Sequence, residues 1–386
     1  MCGIFGIAGA QNNAAQVVLD GLKKLEYRGY DSWGIVVKHN HGLVVDKHVG
    51  KITDAKVDLP HSHLGLGHTR WATHGGVTVA NAHPFIDCTK NLSLVHNGII
   101  ENYLELKQSL KGKHQFTSQT DSEVLLHLIE EYRESLQPAA AVRQAFKRTQ
   151  GLNAVILVDA PTNTLIAAKN GSPLVIGLGK DSNVLASDLW SVLDITREVI
   201  FLEDGQLAVI TAGKVNLLDI ATGKAITAQI QTIDWQAETS KRGNFPHYMI
   251  KEISEQSNLL LRLTAEADAD IHKLAQLIKS AQGTFLAACG TAAYAALAGQ
   301  YFFSRIAHRH INPAIGSEFI YYAHFLKPES LLIALSQSGE TIDTIQSVKL
   351  AQAQQAKTVG IVNVLGSTLY RLVDVKILLG AGPEKA

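Results

Sequence analysis

Leu331-Leu332-Ile333-Ala334-Leu335, followed by Ser336-Gln337-Ser338-Gly339-Glu340-Thr341, sets the architecture of the second half of the chain. Five apolar residues without alternation suit a strand buried on both faces of a parallel sheet. The polar turn then opens a helical pattern, Thr341 to Ala356. Similar apolar runs recur at Thr284 to Ala288, Thr358 to Val364 and Val375 to Leu379, and Thr291 to Ala307 reads as helix. Such alternation implies a doubly wound α/β sheet whose ligand loops lie at the carboxyl ends of its strands. Hydroxyls and backbone N–H groups at a helix N-terminus there can cradle a phosphate. No Lys follows Gly339, so this is not a nucleotide P-loop. Cys289-Gly290-Thr291 repeats the strand–turn–helix setting and adds a hydroxyl. Both segments are equally readable as ordinary polar turns.

Upstream the pattern changes. Residues 247–282 read as helix, with Ile250, Ile253, Leu260, Leu261, Ile271, Leu274, Leu277 and Ile278 at helical spacing, and the polar stretch 221–246 reads as a linker. The first 220 residues are rich in short β-type runs: 34–37, 43–45, 92–95, 154–158, 165–168 and 207–210. Two helical patterns sit among them, one carrying Val17, Val18, Leu22 and Leu25, the other Val124, Leu125, Leu128, Ile129 and Tyr132. This predicts an α+β layered domain over 2–220, a linker over 221–246, a helical lead-in over 247–282 and the α/β domain over 283–386.

Composition narrows the function. The 386 residues suffice for two or three domains of about 150 residues each, and 46% are hydrophobic. Lys plus Arg equals Asp plus Glu, 35 each, which argues against gripping nucleic acid or an anionic membrane by bulk charge. Three cysteines with no close pair fit a reducing compartment rather than a disulfide framework. No Lys or Arg precedes the apolar segment Cys2 to Ala10, so it is not a secretory signal. Ser280 to Ser304 carries no charge, but polar residues and the Cys289-Gly290-Thr291 turn interrupt it as a membrane span. The expectation is a soluble, cytoplasmic protein. Of sixteen histidines, the pairs His61/His63 and His308/His310 show no partner cluster, and no metal site is expected.

Met1-Cys2-Gly3-Ile4 carries the sharpest chemistry. A small second residue permits removal of Met1, leaving Cys2 with a free α-amine whose ordinary pKa is about 7.7–8.0. A thiol with its own base is an N-terminal nucleophile; alternatively, Cys2 is a small residue starting a buried strand. In His68-Thr69-Arg70-Trp71-Ala72-Thr73-His74-Gly75, read as a loop, Arg70 could clasp a carboxylate and Trp71 close over a small ligand, unless Arg70 pairs with a structural acid and Trp71 is core. After the run Leu92 to Val95, Asn97 and Gly98 offer an amide and an approachable backbone N–H for an oxyanion hole, or an ordinary hairpin turn. Asp121, ahead of the second helical pattern, could receive an ammonium or complement a helix N-terminus.

Together and in order, Met1-Cys2-Gly3-Ile4, Tyr27-Arg28-Gly29-Tyr30-Asp31-Ser32, His68 to Gly75, Asn81-Ala82-His83-Pro84, His96-Asn97-Gly98-Ile99-Ile100-Glu101-Asn102 and Thr120-Asp121-Ser122-Glu123 resemble the class II glutamine amidotransferases with an N-terminal cysteine. The resemblance spans residues 2 to about 220. It implies the four-layer αββα fold of N-terminal-nucleophile hydrolases, with Cys2 attacking the glutamine amide and Asn97 and Gly98 holding the oxyanion. Arg70 would bind the α-carboxylate and Asp121 the α-ammonium. Thr73 and His74 would shape the pocket, and Trp71 would belong to a mobile cover. Arg28 and Asp31 read as structural support. The family often has His where this chain has Phe85.

Ser336 to Thr341 is similar to the sugar-phosphate loop of sugar isomerase (SIS) domains, and His247-Tyr248-Met249-Ile250-Lys251-Glu252-Ile253 to the segment leading into one. This implies that Thr291, Ser336, Gln337, Ser338 and Thr341 bind fructose 6-phosphate. The pairing of domains implies glutamine-dependent formation of glucosamine 6-phosphate, without metal or cofactor, by a homodimer joined through the SIS region. Members of that kind carry a second SIS domain with the isomerising residues, and none of these is assignable here. A glutaminase with a regulatory sugar-phosphate domain is the alternative enzyme, and a non-catalytic sugar-phosphate sensor the alternative from another class.

Overall fold

The computed structural model describes the chain except residues 1, 41, 113, 234–242, 267, 383, 385 and 386; the side chains of 266 and 268 are also left aside. It divides into two compact units, Met1–Ala237 and Glu238–Ala386.

The first unit holds two antiparallel sheets. One runs, in spatial order, β15 (Gln231–Thr232), β11 (Glu198–Leu202), β9 (Leu174–Leu178), β10 (Ser182–Ala186), β1 (Gly3–Gly9), β4 (Leu64–Arg70), β2 (Ser32–His39) and β3 (Gly42–Val49). The other runs β14 (Ala225–Ile226), β13 (Val215–Asp219), β12 (Gln206–Ile210), β8 (Thr164–Asn170), β7 (Asn153–Asp159), β6 (Leu92–Gly98) and β5 (Phe85–Ile86). Period-two side-chain alternation sorts the central strands into layers. In β1, Ile4 and Ala8 enter the core between the sheets, whereas Phe5 and Ile7 face α1 (Ala14–Lys24). In β7, Ala154, Ile156 and Val158 join the inter-sheet core. Val155 and Leu157 pack toward α2 (Tyr103–Ser109), α3 (Asp121–Arg133) and α4 (Pro138–Phe146). The expected αββα sandwich is present, with its central strands buried on both faces.

Two expectations need correction. His68, Thr69 and Arg70 are not loop; they end β4. The expected linker begins inside the first unit, because β14 pairs with β13 and β15 with β11; exposed polar residues there reflect sheet edges. The linker's remainder at 234–242 falls outside the described residues.

In the second unit, α5 (Tyr248–Glu266) and α6 (Asp268–Ser280) make up the described residues of the expected helical lead-in. Five parallel strands follow in the order β17 (Asn312–Ile315), β16 (Gly283–Ala288), β18 (Ser330–Ser336), β19 (Lys357–Val362) and β20 (Val375–Leu378). Ile278 of α6 and Ala296 of α7 (Gly290–Ala307) pack on one face. Phe319 of the segment Gly316–Phe325, together with Ile345 and Val348 of α8 (Ile342–Ala353) and Leu369 of α9 (Thr368–Leu372), packs on the other. By sequence rank the order is second, first, third, fourth, fifth, so the chain reverses direction across the sheet between β16 and β18. Ligands of doubly wound sheets bind at that reversal. The uncharged stretch 280–304 is mostly strand and helix of this unit. Among the described residues no helix is long and apolar enough to cross a membrane.

Candidate active site

Cys2 precedes β1, and β1 is pinned at its start. Ile4 N–H donates to Ser187 Oγ at 2.9 Å, and Ser187 N–H donates back to Ile4 O at 3.0 Å. The Trp71 N–H donates to Cys2 Sγ at 3.2 Å, and the thiol faces Trp71 O at 3.6 Å. Burial pushes the Cys2 thiol up, against the opposing pull of the Trp71 N–H and the Arg70 charge. A thiol so placed calls for a base before it can attack.

Around Cys2 lies an open pocket lined by Arg70, Trp71, Thr73, His74, His83, His96, Gly98, Thr120, Asp121 and Ser122. Arg70 ends β4, and its guanidinium donates to Gly76 O at 3.2 Å, to Gly75 O at 3.4 Å and to His74 O, fixing the turn that carries Thr73 and His74. Asp121, the first residue of α3, is buried and accepts from Ile100 N–H at 2.7 Å. Glu123 holds the preceding loop by accepting from Thr117 N–H at 2.8 Å and Ser118 N–H at 2.7 Å. The site thus sets a guanidinium and a carboxylate around a thiol. Trp71, 45% exposed, stands at the rim with its ring 5.4 Å from that of Tyr30. Asp31 accepts from Ala72 N–H at 2.8 Å, and Arg28 pairs with Asp188 at 3.2 Å. Both support the cysteine and its loop.

Asn97 and Gly98 do not form a hairpin turn; both belong to β6. Asn97 Nδ2 donates to Cys2 O at 3.0 Å, and its Oδ1 lies 3.1 Å from His68 Nε2. Gly98 has φ +142°, and a Cβ there would come within 2.3 Å of Leu152 O. Only glycine lets the backbone N–H reach this place.

Three histidines of the quoted motifs, to which no role was assigned above, also belong to the site. His68, His83 and His96 are buried together, His83 and His96 lining the cavity and the His68 and His83 rings 4.3 Å apart. Burial pulls His68 down to about 3 and lowers His83 and His96 as well. His96 is fixed by Ser122 Oγ at 2.9 Å and Asn153 Oδ1 at 2.8 Å. The cavity floor is thus neutral imidazole. Phe85, the departure noted above, is buried with its ring 4.6 Å from that of His83.

In the second unit the turn after β18 is self-bonded. Ser336 Oγ lies 3.1 Å from Thr341 Oγ1 and accepts from Gly339 N–H at 3.0 Å; Ser338 Oγ accepts from Glu340 N–H at 3.2 Å. Thr341 caps α8, and Thr291 lies exposed in the first turn of α7. β16 and β18 pair in parallel, with Ala288 opposite Leu335. Both turns therefore emerge side by side at the reversal, and Gln337 sits in the second of them. Ser336 and Thr341 are bonded to each other, whereas Ser338, among the described residues, bonds only within its own turn.

The comparisons agree with this architecture. Residues 68–194 match the glutamine amidotransferase domain model and residues 277–386 the SIS domain model. The chain is 43% identical over 396 aligned positions to a glutamine–fructose-6-phosphate aminotransferase [isomerizing] of Thermus thermophilus, covering 100% of this chain and 65% of that protein. It is 42% identical to one of Pyrobaculum aerophilum, with the same coverage. The glutamine phosphoribosylpyrophosphate amidotransferase of B. subtilis has a TM-score of 0.51 at 17% identity, covering 98% of this chain and 90% of that one, a likeness of fold alone. Domain content thus pairs a glutamine amidotransferase domain with a SIS domain. Within that class, the chain is similar over its whole length to glutamine–fructose-6-phosphate aminotransferases. It spans about 65% of the length of the relatives it matches.

Proposed function

We propose that the chain releases ammonia from glutamine with Cys2 and delivers it toward fructose 6-phosphate held by the SIS unit, the product being glucosamine 6-phosphate. The observation that carries this reading is the single cavity that joins Cys2, Arg70 and Asp121. Glutamine has a carboxylate, an ammonium and an amide, and the cavity offers a guanidinium, a carboxylate and a thiol. With Met1 removed, the Cys2 α-amine takes the thiol proton, and the sulfur attacks the amide carbon. The Gly98 N–H and the Asn97 amide hold the resulting oxyanion. Collapse breaks the C–N bond, and the nitrogen leaves as ammonia with a proton returned from the α-amine. Water then hydrolyses the thioester to glutamate and frees the thiol. Trp71 covers the site from its rim, while Thr73 and His74 shape the pocket.

In the SIS unit, Thr291, Ser336, Gln337, Ser338 and Thr341 bind the sugar phosphate, supported by their position at the sheet reversal. The isomerising steps are assigned to no residue described here. The protein acts in the cytoplasm as a homodimer joined through its SIS region. The exposed apolar side chains Tyr294, Tyr301, Phe302 and Ile306 of α7 support such a covered surface.

The test supplies purified protein with glutamine and fructose 6-phosphate and quantifies glutamate and glucosamine 6-phosphate separately. Both products in step support the whole reading. Glutamate alone supports the alternative of a glutaminase carrying a sugar-phosphate-binding domain, and neither product contradicts both.

A further inference from the structure

Away from the Cys2 cavity, four side chains of metal-ligand type converge from three segments of the first unit. Cys88 lies between β5 and β6, His114 between α2 and α3, and His127 and Glu130 one turn apart on α3. Each presents one ligand atom, and these atoms all lie within 4.8 Å of one another. Cys88 Sγ is 3.9 Å from Nδ1 of both His114 and His127. Glu130 Oε2 is 3.0 Å and 2.8 Å from the same two nitrogens. Ligand bonds of about 2.0–2.3 Å to a tetrahedral ion place neighbouring ligand atoms roughly 3.3–3.8 Å apart. The observed separations straddle that range, so small side-chain shifts suffice.

We propose that Cys88, His114, His127 and Glu130 form a structural Zn²⁺ site of the amidotransferase unit. The donor set selects the ion class: a thiolate and two imidazoles suit zinc, whereas calcium and magnesium take oxygen ligands.

The surroundings are those of a built site. His114 turns its other nitrogen, Nε2, to Glu131 Oε1 at 3.2 Å, the carboxylate-behind-imidazole arrangement that orients metal-bound histidines. Glu131 is itself held by the N–H groups of Lys111 and Gly112. Gln115 N–H points at Cys88 Sγ at 3.5 Å, and Glu130 Oε1 accepts from Cys88 N–H at 3.1 Å. His127 is fully buried, and its Nε2 has no hydrogen-bond partner among the described residues. A carboxylate bridging two histidines would account for two of the contacts. It does not account for a thiol facing the same nitrogen of each ring. None of the four residues lines the Cys2 cavity. An ion here would tie the loop before α3 and the β5–β6 turn to the helix that begins with Asp121.

The test uses the full chain. Zinc is measured by elemental analysis after exhaustive dialysis, and the chelator-stripped protein is titrated with Co²⁺ alone while the thiolate-to-cobalt absorption is recorded. The expected result is one zinc per chain, one cobalt equivalent with a thiolate band, and a thermal transition that rises when Zn²⁺ is restored. Cys88→Ala, at an exposed position, should remain folded and lose the thiolate band, and His114→Gln should lose bound zinc. A folded wild type that holds no zinc and gives no cobalt band overturns the proposal, as does a thiolate band that survives in Cys88→Ala.

Discussion

Lowering the pH should destabilise the first unit before it touches the carboxylates, and His68 sets the scale. An exposed histidine titrates near 6.5, whereas burial holds His68 at about 3. Its Nε2 lies within hydrogen-bond reach of Asn97 Oδ1 and His96 O, but its Nδ1 has no partner among the described residues. A second proton would therefore sit on a buried, unbonded nitrogen. Because the folded pKa is the lower one, the unfolded chain binds more protons below pH 6.5. Stability is complete above 6.5 and falls steadily toward pH 3. At about 1.36 kcal/mol per pH unit, His68 alone costs about 2 kcal/mol between pH 6.5 and pH 5. His83 and His96 act in the same direction. The tryptophans among the described residues, Trp33, Trp71 and Trp190, fall in the first unit, so tryptophan fluorescence follows its unfolding. The midpoint should drop by about 4–8 °C for 2 kcal/mol in a unit of this size. His68→Gln, which keeps a donor near the Nε2 position, should remove about that much of the pH dependence. A midpoint that is flat from pH 7 to pH 5, or an unchanged slope in His68→Gln, would refute the reasoning.

Other substitutions test the site piece by piece. Cys2→Ala should reduce glutamate release to background, measured by coupled glutamate oxidation; near-normal turnover would remove Cys2 from the mechanism. Arg70→Ala loses a charge-assisted clasp of about 1.5–3 kcal/mol, so KM for glutamine should rise at least about tenfold, and an unchanged KM would exclude that role. Gly98→Ala forces a Cβ against Leu152 O, with backbone strain of about 1–3 kcal/mol. It should also lower kcat by about 100-fold through the displaced N–H, read by steady-state kinetics beside a thermal melt. Ser338→Ala should weaken fructose 6-phosphate binding by about 0.5–1.5 kcal/mol in calorimetry, and unaltered affinity would place the sugar elsewhere.

Much of this was legible because apolar runs and glycine-flanked motifs are local signals. The parallel strands of the second unit were readable as unbroken apolar runs, and Ser336 to Thr341 as the turn between β18 and α8. β4 was not legible. Gly65 and Gly67 look like breakers in Leu64-Gly65-Leu66-Gly67, yet they are in a strand because α1 lies directly on it. A Cβ at Gly67 would come within 2.6 Å of Val18 and 2.7 Å of Leu22. Tertiary packing, not propensity, decides that segment. The short edge strands β14 and β15 escaped for a related reason, since a two-residue segment pairs only when a sheet edge is offered. The cluster at Cys88, His114, His127 and Glu130 was hidden by its spacing. It becomes a set only when α3 and two separate turns fold together, whereas the histidine pairs close in sequence led nowhere.

The account rests on Cys2 as the atom that meets glutamine. The most direct measurement exposes the purified chain to an electrophilic glutamine analogue, then locates the adduct by intact mass and peptide mapping, with and without competing glutamine. One adduct on Cys2, starting from an N-terminus without Met1 and suppressed by glutamine, is the predicted result. Label on Cys88 or Cys289 instead, or a Cys2 adduct that glutamine does not suppress, would contradict it.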